Sequence, residues 1–306
     1  MSETLAATTD PPTSPSMLSG LVRLARPKQW AKNVLVFAAP GAAGVLDQAE
    51  PLRDTLLAFL AFCLAASGTY FLNDARDVEA DRRHPTKQRR PVAAGVVPVP
   101  VAAAGGAILL VAGVGLGFAV RAPLGFTVLS YAALTSAYSA WLKHVAVVDL
   151  IAVSAGFVLR AIAGAAATGV PISEWFFIVA SFGSLFMVSG KRGAEAAELG
   201  DGEAEAIRPS LAAYTPAYVA YLRSVSSSGM LLAYCLWAFE KAAEADASIP
   251  YYQLSIVPFA MAVLRYALVL EQGKGSAPED VVLSDRILQA VGVVWVLTFA
   301  LGVYTA

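Results

Sequence analysis

Residues 73–85 read NDARDVEADRRHP and follow FCLAASGTYFL, an apolar run suited to a lipid interior. Asn73, Asp74, Asp77 and Asp81 have the spacing N-D-x-x-D-x-x-x-D. On a continuous helix Asn73 and Asp77, and likewise Asp77 and Asp81, are four residues apart; Asp74 and Asp77 are three apart. All four then share one stripe. Carboxylates set this close repel one another unless something positive stands between them, and beside hydrocarbon they are costly without a partner or a function. An oxygen-only donor set suits Mg²⁺, which keeps several waters and shares itself with substrate phosphates. A diphosphate held through Mg²⁺ is the natural occupant. The competing reading, a solvated helix end paired with its own arginines, does not require three acids on one stripe.

The segment continues as RRHPTKQRRP, which carries Arg82, Arg83, His84, Lys87, Arg89 and Arg90. Such a run holds a loop on the cytoplasmic side of a membrane. Arginines beside metal-binding carboxylates also describe a site for a highly phosphorylated molecule. His84 precedes Pro85 and reads as a turn residue. A second charged group closes a later apolar stretch, SLFMVSGKRGAEAAELG: Lys191 and Glu195 are four apart, and Arg192, Glu195 and Glu198 step by three. An interfacial helix end with internal ion pairs would look the same. The functional reading is a second phosphate-binding wall facing the first.

The elements that must position these groups are membrane helices. Hydrophobic residues make up 57% of the 306 and charged residues only 15%, against about a quarter charged in soluble domains. Nine apolar segments approach bilayer-spanning length, at roughly 30–46, 53–73, 99–120, 123–142, 145–168, 174–191, 214–240, 251–271 and 282–304. The expected fold is all-α, a multi-pass bundle of about nine transmembrane helices. Residues 1–19, rich in Pro, Ser and Thr, read as a disordered cytoplasmic tail ahead of a single transmembrane catalytic domain over 20–306. With the N-terminus inside, Arg23, Arg26, Lys28, Lys32, the 76–90 cluster, Lys143, Lys191, Arg192, Arg208, Lys274 and Arg286 all fall on the inner side; only Arg53, Arg121 and Lys241 fall outside. The candidate chemistry therefore sits at the cytoplasmic face. Cys63 and Cys235 lie in apolar segments and read as packing residues.

NDARDVEAD resembles the first aspartate-rich motif of the UbiA superfamily of intramembrane prenyltransferases. RPKQWAKN at 26–33 and VVDLIAVSAGFVLRAIAG at 147–164 are also similar to that superfamily, and the likeness runs from about residue 20 to 304. Typical members carry a second D-x-x-x-D motif, and both motifs hold Mg²⁺ on a prenyl diphosphate. Here that position reads KRGAEAAE. This departure resembles the branch of decaprenyl-phosphate phosphoribosyltransferases. There the diphosphate belongs to 5-phosphoribosyl-1-diphosphate (PRPP), and a polyprenyl phosphate from the bilayer is the acceptor.

The resemblance implies a plasma-membrane enzyme open to cytosolic PRPP, with no nucleic-acid partner and compatible with self-association, whose product feeds lipid-linked arabinose for cell-wall arabinan. It implies that Asp74, Asp77 and Asp81, with Asn73, hold Mg²⁺ and carry catalysis. Substrate contacts are expected from Lys28, Lys32, Tyr70, Asn73, Arg82, Lys87, Arg90, Lys191, Arg192 and Glu195. The substitution is physically coherent: exchanging carboxylates for Lys191 and Arg192 lowers repulsion and adds donors to phosphate oxygens.

Other charged and aromatic positions are expected to do less. Asp149 and Arg160, eleven residues apart in one segment, stand about three turns apart, so Arg160 reads as a tie to another helix. Tyr214, Tyr218 and Tyr221 read as an interfacial aromatic belt. Asp285 and Arg286 either cap the last helix or close the cavity. Two rival functions remain. A prenyltransferase acting on an aromatic or haem-like acceptor needs the second aspartate pair, which is missing. A transporter usually shows paired repeats and helices broken mid-membrane around a central site, whereas here charges cluster at one face and few lie at depth.

Overall fold

The computed structural model describes residues 16–198, 209–245, 248–273 and 278–305, and every regular element among them is helical. Helix α1 spans Met17–Ala25, α2 Ala38–Ala42, α3 Ala49–Arg76, α4 Val78–Arg83, α5 Val99–Val120, α6 Ala122–Ala140 and α7 Val148–Thr168. The second half holds α8 (Glu174–Glu198), the short α9 (Pro209–Ala212), α10 (Pro216–Glu244), α11 (Tyr251–Glu271), α12 (Pro278–Ser284) and α13 (Arg286–Thr305). Prolines mark several starts: Pro100, Pro123 and Pro216 each fall in the first turn, where the missing N–H costs nothing. Gly169, at φ 77°, ends α7 in the left-handed conformation.

Eight of these helices are 19 to 29 residues long. Five of them, α3, α5, α7, α11 and α13, are long and apolar enough to cross a membrane by length and composition. The expected segment at 30–46 is not a spanning α-helix. Residues Pro27–Phe37 form a 3₁₀ helix, α2 adds five residues, and Gly44 at φ 67° turns the chain. Of the expected tail, residues 1–15 lie outside the described residues, and Met17–Ser19 already belong to α1. There the Ser16 side chain accepts a hydrogen bond from the Ser19 amide at 3.3 Å and caps the helix.

Helix α3 is the axis of the N-terminal half. It packs most extensively on α5 and also touches α6 and α7. Its buried Phe62 joins Val36, Leu124, Val128 and Tyr131 in one core cluster. Small residues bring α3 and α5 together: a Cβ on Gly68 would stand 2.8 Å from the Gly106 carbonyl oxygen, and one on Gly113 2.8 Å from that of Ala61. Such close approach is how helices associate where lipid offers no hydrophobic drive. In the second half α8 pairs with α10 and α11 with α13, around Phe186, Met230, Val263 and Tyr266. Large apolar side chains face outward, Ile108 at 68% exposure and Val111 at 71% among them, as a lipid-facing surface requires.

Arg160 makes the expected tie. It is buried, and its Nε donates to Asn33 Oδ1 at 2.8 Å, Nη2 to the Tyr131 hydroxyl at 2.7 Å and Nη1 to the Gly156 carbonyl at 2.9 Å. It thereby pins the 3₁₀ segment to α6 and α7. Asn33 in turn donates to Cys63 Sγ at 3.3 Å, and both cysteines are free thiols. Asp285 takes the capping role: it accepts the Leu288 amide at 2.8 Å and pairs through both oxygens with Arg265.

The seam between α3 and α5 yields a paired expectation. Gly113→Val forces a side chain onto α3 backbone and should destabilise the bundle by about 1–3 kcal/mol. Gly115→Val, where a Cβ meets nothing within 4 Å, should leave thermal unfolding in detergent near the wild-type midpoint.

Candidate active site

The four-residue stripe expected at 73–81 is not continuous. Helix α3 ends at Arg76, Asp77 leaves helical geometry at φ −91° and ψ 10°, and α4 begins at Val78. The chain bends without stopping, because the Asp77 amide still bonds the Asn73 carbonyl at 2.9 Å and the Asp81 amide that of Asp77 at 2.8 Å. The bend has a consequence for charge. On a straight helix Asp74 and Asp81 would be separated by about 10 Å of rise. Here they meet at one guanidinium: Arg90 Nη1 lies 3.2 Å from Asp74 Oδ1 and 2.7 Å from Asp81 Oδ2. Both acids are buried, whereas the Asp77 side chain is 38% exposed and, among the described residues, pairs with Arg76 at 3.4 Å.

A second guanidinium reaches Asp74 from a distant part of the chain. Arg26 Nη2 stands 2.7 Å from Asp74 Oδ1, with its carbon 4.5 Å from the Tyr70 ring centroid. Arg26 sits between α1 and the 3₁₀ helix at φ 52°, a left-handed conformation uncommon for arginine. Sequence reasoning counted Arg26 as a topogenic charge and missed this pairing, although it opens the RPKQWAKN motif. Arg23, Arg26, Asp74, Thr86, Arg89, Arg90 and Pro91 line a cavity of about 280 Å³.

The other basic residues named from the sequence are placed differently. Arg82 is exposed and paired with Glu79 at 2.7 Å. Lys32 Nζ contacts Gln29 Oε1 at 2.5 Å, and Lys28 is exposed. Lys87 is half-buried in a short 3₁₀ turn before Arg90. His84 does serve a turn, its Nδ1 accepting the Thr86 amide at 3.3 Å.

For a metal, the donor chemistry fits: Asp74, Asp77, Asp81 and Asn73 offer only oxygens of the kind Mg²⁺ takes. As they stand, however, no three acidic, His or Cys side chains among the described residues converge on one point. The two buried carboxylates already share a cation, Arg90.

The second constellation divides. Lys191 is 41% exposed, with Nζ 3.7 Å from Glu195 Oε1. The side chain of Glu198 lies outside the described residues. Arg192 is 3% exposed and held on three sides: Nε lies 3.0 Å from Asp149 Oδ2 in an ion pair that lacks hydrogen-bond geometry, Nη1 is 2.5 Å from Glu195 Oε2, and Nη2 donates to the Tyr138 hydroxyl at 2.9 Å. Tyr214 closes the knot. It donates to Asp149 and accepts the Val147 amide at 2.7 Å. Tyr214 is therefore buried and structural and does not belong to the expected belt; burial first, then Asp149, pushes its phenol up, so it stays protonated. Val147, at φ 67°, is a β-branched residue in strained backbone that this bond helps to hold. Asp149 was legible only as an ionisable group within an apolar segment; nothing in spacing pointed to Arg192.

The two constellations meet at the end of α6. Arg76 Nη2 donates to the Ser139 carbonyl at 2.8 Å, one residue from the Tyr138 that holds Arg192. The arrangement can bind anions, balance buried carboxylates and keep both charged groups at one end of the bundle.

Comparison with known proteins agrees with this architecture. Residues 34–285 match the UbiA prenyltransferase family. The chain is 44% identical over 293 residues to a decaprenyl-phosphate phosphoribosyltransferase of Corynebacterium glutamicum, covering 94% of this chain and 88% of that one. It is 42% identical to the protein of that name from Mycolicibacterium smegmatis, over 99% of this chain and 98% of the relative. Among solved structures, a UbiA homologue from Archaeoglobus fulgidus bound to GPP and Mg²⁺ superposes with a TM-score of 0.70 at 17% identity, covering 93% of this chain and 99% of that chain. A digeranylgeranylglyceryl phosphate synthase superposes with a TM-score of 0.67, also at 17% identity, covering 95% and 99%. At that identity the likeness concerns the fold alone. With the family match, the apolar spans and the shared helical architecture together, the chain belongs to the UbiA prenyltransferase family of membrane proteins.

Proposed function

We propose that this chain transfers the 5-phosphoribosyl group of PRPP to decaprenyl (polyprenyl) phosphate, releasing diphosphate. The observation that carries this reading is the surplus of guanidinium over carboxylate at the acid-bearing end of α3. Arg23, Arg26, Arg89 and Arg90 surround a cavity whose one acid is Asp74. A prenyl diphosphate brings one charged group; PRPP brings two, and a lipid phosphate acceptor adds a third. The full-length similarity to proteins named for this activity supports the same substrates.

In this reading Asp74, Asp77 and Asp81, with Asn73, would hold Mg²⁺, which when bound neutralises charge on the diphosphate. Arg26 and Arg90, which pair with the acids in this structure, turn their free donors to phosphate oxygens. Lys28, Lys32, Arg82 and Lys87 stand on the same segments and add positive potential. Tyr70, beneath Arg26, holds that guanidinium flat. Lys191 and Glu195 form the second wall, and Arg192 positions them through its buried knot.

The acceptor phosphate is an anion at neutral pH and needs no general base. Its oxygen forms a bond to C1 of the ribose as the C1–O bond to diphosphate breaks, and the bonding pair leaves with the diphosphate. Attack from the opposite face inverts C1. In this reading the protein lies in the plasma membrane with its N-terminus and active site at the cytoplasmic face, as the distribution of basic residues supports. The chain from residue 20 onward acts as one catalytic domain, and self-association is compatible with its surface.

Two measurements test the reading. With labelled PRPP and decaprenyl phosphate, wild-type membranes should produce labelled lipid, EDTA should abolish it, and Asp77→Ala should lower the rate by about 100-fold or more. If folded protein labels no lipid from PRPP but transfers a prenyl group from a prenyl diphosphate, the phosphoribosyl assignment is wrong. The second concerns Arg192. Arg192→Leu strands Asp149 and should destabilise the fold by about 3–5 kcal/mol. The double variant Arg192→Leu/Asp149→Leu should recover part of that loss in a thermal melt, while Lys191→Ala should leave the melt unchanged.

A further inference from the structure

The cavity beside Asp74 draws its positive charge from two distant stretches of chain. Arg23 and Arg26 come from the end of α1, and Arg89 and Arg90 from the loop that follows α4. These four guanidiniums fall into two pairs. Arg26 and Arg90 are bound to the buried acids, at 2.7 Å from Asp74 and 2.7 Å from Asp81 respectively. Arg23 and Arg89 are not. Arg23 Nη2 donates to the Arg89 backbone carbonyl at 3.3 Å. Neither side chain has a carboxylate within ion-pair distance among the described residues.

Holding like charges around one cavity is unfavourable unless an anion belongs there. Planar guanidinium forks are matched to phosphate oxygens. Thr86, on the same rim, adds a hydroxyl. The cavity also has a direction. Its floor is Asp74, the acid assigned above to the diphosphate end of the donor, while Arg23 and Arg89 are exposed at its outer edge. An anion caught at that edge is a second phosphate on a molecule whose first lies at the acids.

We propose that Arg23 and Arg89 form the subsite for the 5-phosphate of the ribosyl donor, with Arg26 and Arg90 reaching inward to the diphosphate. This rests on the phosphoribosyl reading. The chemistry recognised is a phosphate monoester, and the lipid acceptor carries one too. The donor is the better fit because it carries two phosphate groups on one molecule, and the pocket sets Arg23 and Arg89 beside the arginines that hold Asp74.

The test uses full-length protein in membranes or detergent and compares wild type with Arg23→Gln/Arg89→Gln. Kinetics are measured with PRPP, with ribose 1-diphosphate lacking the 5-phosphate, and with varied decaprenyl phosphate. The expected result is a rise in KM for PRPP of about tenfold or more, as for lost charged hydrogen bonds. The KM for lipid and the kcat/KM for ribose 1-diphosphate should not change. Ribose 5-phosphate should inhibit wild type competitively against PRPP and inhibit the double variant more weakly. An increase in KM for lipid instead would assign the pocket to the acceptor and overturn the proposal. Equal loss on both ribosyl donors would overturn it as well, since the arginines would then serve the diphosphate or the fold. If wild type uses neither ribosyl donor, the function proposed above fails and this inference falls with it; if wild type works and the variant matches it, only this inference fails. Arg89→Gln alone, which removes no side-chain bond among the described residues, decides the matter should the double variant not fold.

Discussion

Much of this molecule rests on one constraint: two carboxylates buried at the end of a membrane helix must be neutralised. Asp74 and Asp81 are met by Arg26 and Arg90, so that four positions scattered from 26 to 90 form one charge cluster. Removing one partner from a buried ion pair leaves a charge in a medium that solvates it poorly, a far larger cost than loss of a surface pair. The pairing therefore fixes where α1 ends, how the loop after α4 returns, and which side chains line the cavity between them. The proposed function uses the same groups. The cations that hold the acids are those that a polyphosphate would draw toward itself.

The rest of the bundle delivers these groups to one end. Gly68 and Gly113 let α3 and α5 touch through their backbones. Gly164 does the same for α7, where a Cβ would stand 1.9 Å from the Val36 carbonyl oxygen. Arg160 then fastens the 3₁₀ segment by Asn33. Its charge is met by neutral oxygens and by the Tyr131 ring, 4.5 Å away, which suits a fixed strut in an apolar interior. At the other charged group, Arg192 ties α6, α7 and α8 together, and the Tyr214 segment joins through Asp149.

Amino-acid sequence made the helical class, the long apolar segments and the acid-rich end of α3 legible, because each depends on composition or on spacing within one element. What it left hidden depends on neighbours distant in the chain. Arg26 looked like a topogenic charge and is a partner of Asp74. Arg192 looked like a phosphate ligand and is enclosed by Asp149, Glu195 and Tyr138. Tyr214 looked like a belt residue and is a buried donor. The segment at 30–46 had nearly the hydropathy of a span, but it is split between the end of a 3₁₀ helix that opens at Pro27 and a five-residue α-helix that contains Pro40, and the chain turns at Gly44. Local periodicity also overextended the helix at 73–81, since it could not register the break in helical geometry at Asp77.

That fold-back at Asp77 changes what kind of receptor the acids make. On an unbroken helix the gap between two carboxylates is fixed by pitch and rise. Here Asp74 belongs to a long, deeply packed helix and Asp81 to a six-residue one, joined at a single non-helical residue. The two carboxylates therefore stand on separate elements and meet at one guanidinium, so their spacing is a property of the junction at Asp77 and of what the loop at Arg90 brings to it, and not of the pitch of a single helix.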